Sequence, residues 1–173
     1  ISLLLINKLI PNISSLADIP AHSELNNLNI YNADVNDAFS KVLHKHKSYH
    51  CSSYVPNIQP GTEIEEKVFC QDLENLTFAR EYFDAVITED VFEHIRDYEK
   101  GFREVYRILK KGGYHIFTVP CFFDKPTLVR VDTSGEEDIH LLPPEYHGDK
   151  IRGKILAYRT FGIDIFDILE KIG

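Results

Sequence analysis

The chain has 173 residues, of which 43% are hydrophobic and 27% charged, with a formal net charge of −8. That length and composition suit one globular domain with a proper core. So acidic a balance argues against a nucleic-acid partner, which needs a basic face for the phosphate backbone.

Taken in order, Ile1 to Ile10 is apolar but interrupted by Asn7 and Lys8, and it is too short to span a bilayer. It lacks the basic lead-in and small-residue cleavage site of a signal peptide. A helix packing on the domain's edge, or on a partner, is expected there. Pro11 to Asn27 is rich in Ser, Pro and Asn and reads as a connector with a short helix near Ser14 to Ala17. Residues 1–27 therefore form an N-terminal helix and connector, and 28–173 the main domain. The chain opens on Ile1 and contains no methionine, which points to processing or to a larger parent chain.

Leu28 to Tyr31 predicts the first strand, followed by the polar turn Asn32-Ala33-Asp34-Val35-Asn36-Asp37. Ala38 to His46 places Phe39, Val42 and Leu43 on one helical face, which Asn36 or Asp37 could cap. His44-Lys45-His46-Lys47 reads as the solvated end of that helix. Tyr49 to Val55 predicts a second strand, Pro56 to Glu66 a loop around Pro60-Gly61, and Lys67 to Gln71 a third strand leading to Asp72-Leu73. Phe83 to Thr88 is a buried strand rich in β-branched residues. It ends on Glu89-Asp90, so polar chemistry sits at a strand's carboxyl end, where open α/β sheets bind ligands.

Phe102, Val105, Tyr106 and Leu109 fall at i, i+3, i+4 and i+7, the stripe of a helix packed on a sheet. Arg107, Lys110 and Lys111 suit the negative end of its dipole, and Gly112-Gly113 predicts a left-handed cap. Tyr114 to Val119 is the next strand, stopped by Pro120. This strand–helix–strand unit predicts a right-handed crossover between parallel strands. Beyond it comes a loop-rich insertion at about 121–153, then a short edge strand over Ile155 to Tyr158. A last amphipathic helix, Ile163 to Ile172, has Ile165, Ile168 and Leu169 on one side. The three cysteines, Cys51, Cys70 and Cys121, lie far apart with no C-x-x-C pair. They read as buried thiols of a reducing, cytoplasmic compartment.

The string FDAVITEDVFEHI…FREVYRILKKGGYHIFTVP, between Phe83 and Pro120, resembles the fourth-to-fifth-strand region of class I S-adenosylmethionine-dependent methyltransferases. It is most similar to a small-molecule group with the pattern D-x-V…EH…E-x-x-R-x-L-K-x-G-G, and the resemblance is strong over about Val68 to Pro120. It implies an α/β, Rossmann-like, mostly parallel sheet with helices on both faces. The implied cofactor is S-adenosylmethionine and the implied reaction methyl transfer to a small-molecule or glycan-like polar acceptor. Such proteins normally finish with two more strands in an antiparallel hairpin. This chain either lacks those last two strands or is a five-stranded version. An uncovered sheet edge invites pairing with another chain, so a homo-oligomer is one expectation.

Residue by residue, the resemblance implies a cofactor cradle at the carboxyl ends of strands one, two and four. Asn32 and Asp34 stand in the loop that usually reads acidic-x-Gly-x-Gly-x-Gly. Ser53 stands near the ribose-gripping acid, Asp72-Leu73 at the adenine end, and Glu89 and Asp90 after strand four. His94 occupies the family's typical histidine position. Tyr146 and His147 belong to a PPEYHG segment similar to one found in a subset of these enzymes, and could bind a polar acceptor or take its proton.

Two departures stand out. No glycine occurs from Asn32 to Ala38, and Ser52-Ser53-Tyr54 replaces the acid; a serine can make one hydrogen bond but not a charge-assisted pair. They keep open a rival reading, a catalytically inactive methyltransferase-like binding or scaffolding module. A nicotinamide-binding domain ranks behind both, because it too needs a Gly-rich turn and a ribose acid. Asp90, Glu93 and His94 are the right types for a metal site. The family pattern accounts for them without one, so no metal is expected.

Overall fold

A computed structural model describes residues 15, 18, 19, 25, 27–35, 38–149 and 151–173. The helix expected in Ile1 to Ile10, the one near Ser14 to Ala17 (Ser15 apart) and the cap at Asn36 or Asp37 lie outside the described residues. The central sheet is built from β1 (Ile30–Asn32), β2 (Tyr49–Ser53), β3 (Glu63–Glu65), β4 (Val68–Cys70), β5 (Phe83–Glu89) and β6 (Leu109–Thr118). Its strand order is β3-β4-β2-β1-β5-β6. Every neighbouring pair is parallel except β3 with β4. Strand order reverses around β1, with β2 on one side and β5 on the other, which opens a crevice above their carboxyl ends.

Helices cover both faces. The helix α1 (Ala38–Leu43) supplies Phe39 and Leu43 to a core with Ile30, Tyr49 and Ile87, joined by Ile19 and Leu25. On the other face, α2 (Tyr98–Ile108) and α3 (Ile165–Ile172) bury Phe102, Val105, Ile108 and Ile165 against Tyr31, Phe83 and Val86. Strands buried on both faces read as nearly continuous apolar runs, and Phe83 to Thr88 does so apart from Asp84, which pairs with Lys110.

Several expectations need correction. The segment Pro56 to Glu66 is not all loop, because Glu63-Ile64-Glu65 pairs with β4 as a short, charged edge strand; such edges discourage pairing with other chains. Helix α2 ends at Ile108, with Leu109 already extended. The expected stripe therefore stops early, and Tyr106 is 55% exposed.

Gly112-Gly113 does not cap the helix. It lies in an irregularity of β6, where Leu109 pairs with Phe83 but Tyr114 already pairs with Ala85. Gly112 has φ +77, and a Cβ on Gly113 would stand 3.1 Å from the Asp84 carbonyl oxygen, so glycine at these two positions lets the inserted residues fold back.

Beyond Pro120 the chain forms three small antiparallel sheets. They pair β7 (Leu128–Val129) with β12 (Arg159–Thr160), β8 (Val131–Asp132) with β9 (Ile139–His140), and β10 (Tyr146–Asp149) with β11 (Gly153–Leu156). Ile155 thus belongs to a separate hairpin and not to an edge of the main sheet. Among the described residues the sheet ends at β6, without the further hairpin usual in the family. None of their helices is long and apolar enough to cross a membrane. Cys51 and Cys70 are buried, and Cys121 is half-buried.

Candidate active site

A cleft of about 970 Å³ opens at the carboxyl ends of β1, β2, β4 and β5 and is closed on one side by the β10–β11 hairpin. Asp34, Ser53, Asp72, Leu73, Glu89, Asp90, His94 and His147 all line it. Asn32 and Tyr146 do not.

Asn32 is fully buried, and its side chain shapes the turn instead of meeting the cleft. Its Oδ1 accepts the Asp34 N–H at 3.0 Å, and its Nδ2 donates to the Tyr49 hydroxyl at 2.9 Å. That Asx turn replaces glycine, for no residue from 32 to 35 has a left-handed backbone. Asp90 does, with φ 49. Its N–H donates to the Thr118 carbonyl, and its Oδ1 accepts from the Thr118 hydroxyl at 3.0 Å. The left-handed residue thus sits just past β5, where the chain must turn away from the sheet.

Asp72 Oδ1 accepts the Glu74 N–H at 2.8 Å, which fixes the carboxylate at the rim. The Ser52 hydroxyl is engaged by the Tyr31 phenol at 2.7 Å, so Ser53 is the serine left to meet a ligand. Burial raises the Tyr31 phenol well above its ordinary pKa.

The far wall is built on a 3₁₀ turn, Phe92–His94. Phe92 stacks on Phe102 with centroids 3.8 Å apart, which seats the turn on α2. Arg159, 4% exposed, donates to the carbonyls of Phe92, Ile95 and Arg96 and lies 4.4 Å from the Tyr98 ring centroid. Burial lowers this guanidinium to about 10. The Tyr158 N–H adds a bond to the Glu93 carbonyl at 2.8 Å.

Held this way, Glu93 is fully buried, and neither carboxylate oxygen has a hydrogen-bond partner among the other described residues. Its Oε1 stands 3.7 Å from His94 Nε2 and 3.7 Å from His147 Nδ1. Those two nitrogens are 3.1 Å apart. His94 Nδ1 bonds the Leu156 carbonyl at 2.8 Å, and His147 Nε2 lies 3.3 Å from Glu145 Oε1. Glu145 is paired in turn with Arg130 at 2.6 Å. Burial, aided by Asp90, pushes Glu93 up to about 7 against the pull of its own backbone N–H, His147 and Arg159. Burial also pushes His94 down to about 4.

Strand alternation turns His147 into the cleft and leaves Tyr146 outside, 56% exposed. Sequence reasoning underused Glu93, although its place beside His94 after a buried strand is a signal. It also passed over Arg159, which has no local signature.

A family model described as "Methyltransferase domain" matches residues 20–117, more than half of the chain. The chain belongs to the methyltransferase domain family. A search of curated proteins finds no match.

Two solved structures share the fold over most of their length. One is an S-adenosylmethionine-dependent methyltransferase from Mesorhizobium loti. It is 16% identical with a TM-score of 0.52, covering 92% of this chain and 83% of that one. The other, from Clostridium acetobutylicum, is also described as S-adenosylmethionine-dependent. It is 16% identical with a TM-score of 0.52, covering 99% of this chain and 85% of that one.

S-adenosylmethionine is the cofactor that this family membership implies. The methyltransferase cleft suits it chemically. Asp34, Asp72, Glu89 and Asp90 bring negative charge for a cationic sulfonium and an amino group. Arg152 and Lys154, from the hairpin, offer cations for a carboxylate. The volume falls within the range of small-molecule sites, roughly 300–1,000 Å³.

Proposed function

We propose that this methyltransferase acts on a small or glycan-like polar acceptor bound at the His94–His147 end of the cleft. Asp34, Ser53, Asp72 and Leu73 hold the adenosyl part of the cofactor, and Glu89 and Asp90 border its sulfonium end. The observation that carries the reading is the meeting of His94 and His147, 53 positions apart in sequence, at 3.1 Å on the wall of one cleft with those acids.

S-adenosylmethionine supplies an electrophilic methyl group on a cationic sulfur. The protein's part is to align the acceptor atom with that methyl, exclude water and receive the acceptor's proton. His147 is one-third exposed at the side chain, so it can meet an acceptor and pass a proton to solvent. Tyr146, outside the cleft, has no part in this reading.

The test is incubation with isotope-labelled S-adenosylmethionine and a panel of hydroxylated small molecules and free sugars. Label transfer to at least one of them, without label on the protein, is the expected result. Cofactor binding without transfer to any member would overturn the acceptor assignment and favour the binding-module reading, which the glycine-free turn at 32–35 supports.

A further inference from the structure

We propose that Glu93, His94 and His147 form a binding site for one divalent transition-metal ion of the zinc class, open on the cleft side. The first argument is geometric. Glu93 Oε1, His94 Nε2 and His147 Nδ1 make a triangle with edges of 3.7, 3.7 and 3.1 Å. A point about 2.0 Å from all three atoms lies at its centre, the bond length zinc takes to imidazole nitrogen and carboxylate oxygen.

The second argument is where the hydrogens are. A carbonyl oxygen can only accept, so His94 carries its hydrogen on Nδ1, toward Leu156, and leaves Nε2 bare. His147 Nε2 faces the Glu145 carboxylate, which leaves its Nδ1 bare toward the triangle. Glu93 brings a fully buried carboxylate to which no other described residue donates a hydrogen bond. Three acceptor lone pairs thus converge on one point. Three lone pairs brought this close repel one another unless a cation or a proton sits among them, and an unsatisfied buried carboxylate is costly.

The third argument is the outer layer. Metal-binding histidines usually donate their other ring nitrogen to a carbonyl or carboxylate, which fixes the tautomer and the ring plane. Both histidines do so here, and Arg130 holds Glu145 in turn. Two imidazoles and one carboxylate suit zinc or ferrous iron, and three protein ligands leave coordination positions for an outside oxygen.

His94 and His147 line the cleft while Glu93 stands behind them, so those positions face the cleft. An acceptor hydroxyl bound there would lose its proton more readily, to solvent and not to His147, whose Nδ1 lone pair the ion would hold. That consequence rests on the methyl-transfer reading, whereas the binding of the ion does not.

The competing occupant is a single proton shared between the two imidazoles. To separate the two, tag-free protein is stripped with a chelator and titrated with Zn²⁺ in a calorimeter. Bound zinc is counted by mass spectrometry after gel filtration, and Co²⁺ serves as the optical probe. One equivalent per chain is expected, with cobalt absorption bands that zinc abolishes.

His147→Ala, at a partly exposed hairpin position, should keep the thermal midpoint and lose at least about tenfold in zinc affinity. Glu145→Gln, which removes an orienting partner and no ligand, should lose about 10–100-fold. No stoichiometric uptake by the parent protein, or undiminished affinity in folded His147→Ala, would overturn the proposal in favour of the shared proton.

Discussion

Arg159 carries the most exacting prediction about how the site is held. Its guanidinium ties together three carbonyls, those of Phe92, Ile95 and Arg96, at the two ends of the 3₁₀ turn. Arg159→Met keeps most of the apolar stem and removes all the donors. Hydrogen bonds from a charged group contribute roughly 1.5–3 kcal/mol each. Releasing a buried cation with no direct carboxylate partner offsets part of that. The net loss should be roughly 3 kcal/mol, and at about 2–4 °C per kcal/mol for a domain of this size the midpoint should fall by roughly 6–12 °C. Thermal unfolding followed by circular dichroism, with urea midpoints alongside, reads this directly. Arg159→Lys, which keeps the charge but not the fork of donors, should fall between parent and Met variant. A change under about 1 °C in Arg159→Met would refute the idea that this residue pins the Glu93–His94 turn.

Two further predictions concern stability. His115 packs among Phe92, Phe102 and Phe117, bonds Thr88 through Nε2 at 3.0 Å, and is lowered to about 3 by burial. An unfolded imidazole titrates near about 6.5, so between those values the unfolded chain binds a proton that the folded one refuses. The stability it contributes is therefore complete above about pH 6.5 and lost as pH falls toward 3. For this partly buried residue the loss should be roughly 1 kcal/mol between pH 7 and pH 5. Equal urea-midpoint slopes with pH for the parent and His115→Gln would count against this. A Cβ on Gly162 would collide with the main chain of Pro126 and Thr127. Gly162→Ala should therefore cost about 3 kcal/mol, while Gly135→Ala, with only the Glu137 carbonyl oxygen near at 3.9 Å, should cost under about 1 kcal/mol. Equal midpoints for the two variants would mean the loop at Pro126 yields freely.

Legibility in the sequence followed the range of the forces involved. Phe83 to Thr88 and the Phe102–Val105 spacing were readable because burial on a sheet and on one helix face writes a local period. Glu63 to Glu65 was not, since a three-residue edge strand between charges has almost no pattern. Gly112-Gly113 suits a helix cap and a strand irregularity equally, because both use the same left-handed backbone. Asn32 stands in the turn expected for it, with its side chain bonded inside the fold. Its bond to Tyr49 joins two strands, which no local rule reveals. His147 reached the site through the hairpin pairing of Tyr146 to Asp149 with Gly153 to Leu156. Its contact with Glu93 depends on Arg159 and Tyr158, which come still later in the chain.

Calorimetric titration of the purified protein with S-adenosylmethionine and S-adenosylhomocysteine tests the central claim most directly. Micromolar binding of both is expected, weakened at least about tenfold by Asp72→Ala, since a carboxylate accepting from an exocyclic amine contributes roughly 1.5–3 kcal/mol. No heat up to millimolar ligand, from protein that is folded by circular dichroism, would contradict the assignment of this cleft to the cofactor.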